Sequence, residues 1–139
     1  MTTAFGDRDS REWWEALGRG ELLVQQCDNC GVPRWAPRAM CNGCGSFSWH
    51  WVQTSGQGRV IGWTVSHRSF IPGLEAPYTV VLVRLDHGEN LMIPGGWAED
   101  PAGSDLAAEL SVVAEFIENT DSDGPPTVLT WRRATPVTT

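Results

Sequence analysis

Apolar residues follow two rhythms along these 139 residues, and the change comes near Gly56. Trp13, Trp14 and Leu17 recur at helical spacing, with Asp9 or Ser10 placed to cap a helix and Gly20 placed to end it. A short helix through Arg19 is predicted, with Glu12 in its first turn, and residues 1–8 read as a frayed terminus. A helix of that length is marginal alone in water, so it must dock on another element. Leu22-Leu23-Val24 then starts a strand, Arg34-Trp35-Ala36 is held extended by Pro33 and Pro37, and alternation in Trp49-His50-Trp51-Val52 puts both tryptophans on one face.

Beyond Gly56 the pattern is strands alone. One long strand is predicted over 59–68, bent at Gly62, followed by a Pro/Gly loop over 69–77. The β-branched run 78–85 is the clearest strand in the chain. Three more follow at 91–93, 111–117 and 128–132, with turn-rich polar stretches at 97–106 and 119–126. Five strands with little helix predict a small, partly open barrel of the OB type.

The four cysteines decide what precedes that barrel. Cys27-Asp28-Asn29-Cys30-Gly31 is repeated in kind by Cys41-Asn42-Gly43-Cys44-Gly45, with turn-forming Asn and Gly in both. Two C-x-x-C turns make the ligand set of one tetrahedral metal, and zinc suits four thiolates. Four sulfurs close the coordination shell, so the expected role is structural. Disulfides are the other use of paired cysteines. Residues 3–14 lack the apolar run of a secretory signal, which points to a reducing, cytoplasmic setting and to metal. The fold class expected is therefore mainly β: an N-terminal tail and docking helix over 1–21, a rubredoxin-like zinc ribbon over 22–52, and a five-stranded OB-fold barrel over 53–139.

Charge adds a second signal. The formal net charge is −7, and four thiolates around a divalent zinc bring it to −9. Residues 86–123 hold ten acids and no Lys or Arg, whereas 29–85 hold Arg34, Arg38, Arg59, Arg68 and Arg84 against Glu75 alone. Such acidity argues against nucleic acid as the partner, since that binding depends on neutralising phosphates. The arginine-bearing middle suits an anionic ligand or an acidic protein patch. No apolar stretch is long enough to span a bilayer. Eight tryptophans are expected mostly in or beside the core.

Taken in order, Trp13-Trp14-Glu15-Ala16-Leu17, the two knuckles, Gly56-Gln57-Gly58-Arg59-Val60 and Thr64-Val65-Ser66-His67-Arg68 resemble the zinc-ribbon/OB-fold proteins that accompany thiolases in acyl-CoA metabolism. The resemblance is collinear over residues 10–118. It implies a non-catalytic accessory subunit that completes a thiolase-fold enzyme, a thiolase or a steroid side-chain aldolase, with acyl-CoA at or near the shared interface. It also implies two copies of this chain per partner dimer. Some members are fused to a hydratase-type domain that 139 residues cannot include.

Among the remaining residues, His87 is expected in a solvated turn, and His50 is excluded from a zinc already holding four sulfurs. His67 and Arg68 end a strand before the Pro/Gly loop. They are candidates for contact with a CoA phosphate or a partner carboxylate, the plain alternative being a hydrogen-bonded rim. Phe70, Ile71 and Leu74 on that loop, with Trp63 and Tyr78 beside it, are candidate apolar contacts. With every cysteine assigned to metal, no thiol nucleophile remains. A free-standing acyl-CoA-binding module and a single-strand nucleic-acid binder are the competing functional classes.

Overall fold

A computed structural model describes residues 6–69, 74–119 and 124–134. Helix α1 (Arg11–Gly18) leads into β1 (Leu23–Cys27), β2 (Pro33–Arg34) and β3 (Trp49–Gln53), which form a sheet in the order β2-β1-β3. Then come β4 (Gln57–Ser66), β5 (Tyr78–Leu85), β6 (Met92–Trp97), β7 (Ser111–Glu118) and β8 (Thr127–Arg133). These five make a closed barrel in the order β4-β5-β6-β8-β7.

The helix ends as its sequence directs. Gly20 takes φ +77°, which lets its N–H reach Leu17 O at 3.0 Å and the Glu21 N–H reach Ala16 O at 2.9 Å. This doubly bonded stop satisfies carbonyls that a helix end otherwise leaves bare. At the other end Ser10 makes no side-chain cap; Asp7 Oδ1 instead accepts the N–H groups of Asp9 and Ser10. Trp13, Ala16 and Leu17 are buried against β1, β7 and β8. Each large buried side chain contributes about 1.5–3 kcal/mol, which supplies what so short a helix lacks on its own.

The bend expected at Gly62 is a β-bulge. Val60 pairs with Val83 and Gly62 with Leu82, leaving Ile61 as the extra residue. Inward positions alternate throughout β5, and Val60, Val81, Val83, Ile93, Val112 and Trp131 of the barrel strands are fully or almost fully buried. They share one cluster with the helix and with Leu23 and Val24 of β1, so ribbon, helix and barrel rest on a common core.

The barrel is closed rather than partly open. Its seams are an antiparallel β4–β7 pair and a parallel β6–β8 pair, Gly96 opposite Thr130 and Trp97 opposite Trp131. The second seam needs β6 to run on through Pro94-Gly95-Gly96 to Trp97, beyond the 91–93 expected from its apolar pattern. Gly95 lies against the buried indole of Trp131: a Cβ there would meet Trp131 Nε1 at 2.7 Å and Leu129 O at 3.0 Å. Of the eight tryptophans, Trp13, Trp97 and Trp131 are buried, four are half-buried and Trp63 is exposed.

Candidate metal centre and candidate contact residues

Both knuckles are built alike. Gly31 (φ +76°) returns its N–H to Cys27 O at 3.1 Å, and Gly45 (φ +77°) returns its N–H to Cys41 O at 2.9 Å. Left-handed φ is the reason glycine follows each pair. β1 delivers Cys27 at its end, and the bond from Asp28 N to Ser48 O at 2.9 Å ties the first knuckle to the start of β3. Cys27 and Cys41 are buried, while Cys30 and Cys44 are exposed.

All four sulfurs lie within 4.8 Å of one another. Cys27 Sγ is 3.6 Å from Cys44 Sγ, and Cys30 Sγ is 3.6 Å from Cys41 Sγ. A disulfide requires about 2.05 Å, whereas a tetrahedron with Zn–S near 2.3 Å has edges of about 3.8 Å. The donor set therefore has the size of a zinc site. Backbone N–H groups favour the charged form of two of these sulfurs. The backbone N–H of Cys30, and then that of Asn29, hold the Cys27 thiol down at about 6. The N–H groups of Cys44 and Gly43 likewise lower Cys41. Although the Val32 N–H favours its thiolate, partial desolvation of the sulfur and the adjoining Cys41, Cys27 and Cys44 thiols push Cys30 up to about 11. Thiolates crowd one another here, and a divalent cation relieves that crowding.

The surroundings supply matching charge. Arg34 is only 6% exposed and forms no ion pair among the described residues. Its Nε donates to Gln25 Oε1 at 2.8 Å and its Nη2 to Arg38 O at 2.9 Å, while Nη1 is buried without a hydrogen-bond partner among the described residues. Together with Cys41 it lines a pocket of about 250 Å³. A buried guanidinium is costly unless negative charge lies close, and a zinc tetrathiolate carries a net −2. Cys27, Cys30, Cys41 and Cys44 would hold such an ion with no position left for water, which makes it a structural staple. His50 stands apart, its Nδ1 2.5 Å from Asp28 Oδ1.

The other sequence candidates gather at one end of the β4–β5 pair. Trp63 lies opposite Val81 yet is 41% exposed, and half-buried Tyr78 is opposite Ser66. His67 and Arg68 follow in an exposed bend, and Leu74 is exposed across the loop. Phe70 and Ile71 lie outside the described residues. His87 is exposed in the turn after β5. The sequence pattern passed over Arg34; its place between a C-x-x-C turn and Trp35 was the available signal.

Residues 14–50 match the rubredoxin-like zinc ribbon domain of ChsH2, and residues 51–116 match the ChsH2 C-terminal OB-fold domain. A DUF35 domain-containing scaffold protein of Pyrococcus furiosus is 32% identical over 117 residues, 83% of this chain and 84% of its own. The chain belongs to the ChsH2/DUF35 family. Within that family it is 38% identical over 86 residues to a probable enoyl-CoA hydratase alpha subunit of Thermomonospora curvata. It is 27% identical over 92 residues to a 3-oxo-4,17-pregnadiene-20-carboxyl-CoA hydratase alpha subunit of Mycobacterium tuberculosis. The matches cover 62% and 66% of this chain but only 27% and 29% of those two proteins. Among solved structures, a chain of an Ltp2-ChsH2(DUF35) aldolase superimposes with a TM-score of 0.82 at 29% identity, covering 96% of this chain and all of that one. A DUF35 protein of Sulfolobus solfataricus, at 13% identity and a TM-score of 0.57, shares the fold. Among the described residues no helix is long and apolar enough to cross a membrane.

Proposed function

We propose that this chain is a non-catalytic accessory subunit of a thiolase-fold enzyme, of the thiolase or steroid side-chain aldolase type, acting on acyl-CoA thioesters in the cytoplasm. The observation that carries this is the end-to-end superposition on a chain of an Ltp2-ChsH2(DUF35) aldolase. The hydratase subunits it resembles carry acyl-CoA in their names, which supports the substrate class. The site chemistry supports the accessory role: all four thiols converge on one metal-sized cluster, so the nucleophile for thioester or retro-aldol chemistry comes from the partner.

In this assignment His67, Arg68, Leu74, Trp63 and Tyr78 face the partner or the CoA, with Arg68 the anion contact; Phe70 and Ile71, proposed for the same role from the sequence, lie outside the described residues. Two copies of the chain per partner dimer is the arrangement expected. The test is reconstitution. The isolated chain should neither turn over acyl-CoA nor bind it tightly by calorimetry, and adding the thiolase-fold partner should give activity. Arg68→Ala should lower the activity of the complex severalfold and leave the melting temperature of the lone chain unchanged. Tight acyl-CoA binding by the lone chain would make it a free-standing binding module instead. A matching loss of stability in Arg68→Ala would make that residue structural.

A further inference from the structure

The geometry points to the outward face of β4, β5 and β6 as the surface on which the partner enzyme sits; the inference rests on the accessory-subunit assignment above. An antiparallel strand with one face in water reads apolar-in, polar-out. β5 does not. Thr79, Val81, Val83 and Leu85 point inward, and the outward set is Tyr78, Val80, Leu82 and Arg84.

Register makes that outward set continuous. Val80 lies between Thr64 and Gly96, Leu82 between Gly62 and Pro94, and Arg84 between Arg59 and Met92. Val80 is 41% and Met92 45% exposed, large values for aliphatic side chains in the middle of a sheet. The small residues Gly62 and Gly96 flatten the face, and nothing lies within 4 Å of where a Gly62 Cβ would stand. An apolar face of this kind is more often an interface than bare surface.

Charge identifies the occupant. In a chain of net charge −7, these three strands carry two arginines and no acidic residue. Both arginines stand at the same edge and are held in place by one residue. Arg84 Nη2 pairs with a Glu109 carboxylate oxygen at 3.1 Å, and Arg59 Nη1 donates to Glu109 O at 3.2 Å. The fitting partner is a protein patch that is aliphatic at its centre and carboxylate-bearing along one edge. A second copy of this chain fits poorly, because two strongly acidic bodies would be brought together and the same arginines would face one another across the joined faces. Single-stranded nucleic acid also fits poorly. OB barrels hold bases by stacking on aromatic rings, and the centre of this face is aliphatic.

The experiment is co-expression with the thiolase-fold enzyme of the same organism, followed by sedimentation velocity and titration of the purified subunits. Wild type should form a complex, and so should Ile117→Glu, a control on β7 where the residue is 40% exposed. The double variant Val80→Glu/Met92→Glu should weaken the complex at least tenfold while keeping wild-type zinc content and melting temperature. Should that variant not fold, Arg59→Glu takes its place, with weaker binding and an altered salt dependence expected. A folded face variant that binds as tightly as wild type overturns the docking face alone. Absence of any wild-type complex overturns the thiolase-fold assignment and this occupant with it. A wild-type homodimer dissolved by Val80→Glu/Met92→Glu overturns the inference in favour of self-association.

Discussion

Gly95, like Gly58 on β4, should be among the least replaceable residues of the barrel wall, and Gly62 on the same sheet among the most replaceable. A Cβ at Gly95 would stand 2.7 Å from Trp131 Nε1, 2.8 Å from Trp131 Cδ1 and 3.0 Å from Leu129 O. Trp131 is completely buried, so its ring has nowhere to retreat, and Leu129 O belongs to the strand beside it. Relief requires the β6–β8 seam to open. Overpacking of this kind costs about 1–3 kcal/mol, and the backbone obstacle puts Gly95→Ala toward the upper end. For a domain of this size each kcal/mol shifts the melting point by about 4 °C, so a drop of roughly 8–12 °C is expected. Gly62→Ala meets nothing and requires no unusual φ; by restricting the unfolded chain it should stabilise by about 0.4–1 kcal/mol. Differential scanning calorimetry of the zinc-loaded proteins makes the comparison. A Gly95→Ala melting point equal to that of Gly62→Ala would refute the packing argument.

Two further outcomes are expected. Zinc removal by a strong chelator should unfold the ribbon sheet and abolish partner binding, because metal binding supplies about 10 kcal/mol or more to such ribbons. Circular dichroism during chelation reads this directly, and a Cys30→Ser/Cys44→Ser chain that kept both fold and partner would exclude it. The Asp7 carboxylate is held below its ordinary 3.8 by the Ser10 hydroxyl and then by the Ser10 N–H. The stability it contributes is therefore present above that value and lost as pH falls through the lowered one. NMR titration should show Ser10→Ala returning Asp7 toward 3.8, and an unchanged titration would remove Ser10 as the cause.

What could be foreseen here was whatever short-range chemistry dictates. Ligand spacing and glycine placement located the metal cluster, and β-branched content found β5 to the residue. Strand β6 was only half visible, because Pro94-Gly95-Gly96 carries turn composition; its strand form depends on Trp131, distant in sequence, needing space. Barrel closure escaped notice for a related reason. It depends on a parallel seam between β6 and β8, and no local pattern announces that pairing. The outward face of β5 was in plain view as an unbroken apolar run, yet only the register showed its neighbours to be small or apolar too. Arg34 looked like one of several arginines until burial separated it from the rest.

The parallel seam has a consequence for how the protein is made. All four sulfur ligands lie within the first 44 residues, whereas the ring of strands is completed only by Thr127–Arg133. At about 5–20 residues per second, the stretch between them takes on the order of 4–17 s to synthesise. The ribbon thus reaches a metal-competent length while the barrel is still an open sheet and while the β8 part of the seat for α1 does not yet exist. Zinc captured in that interval would close both knuckles before the β6–β8 seam can form.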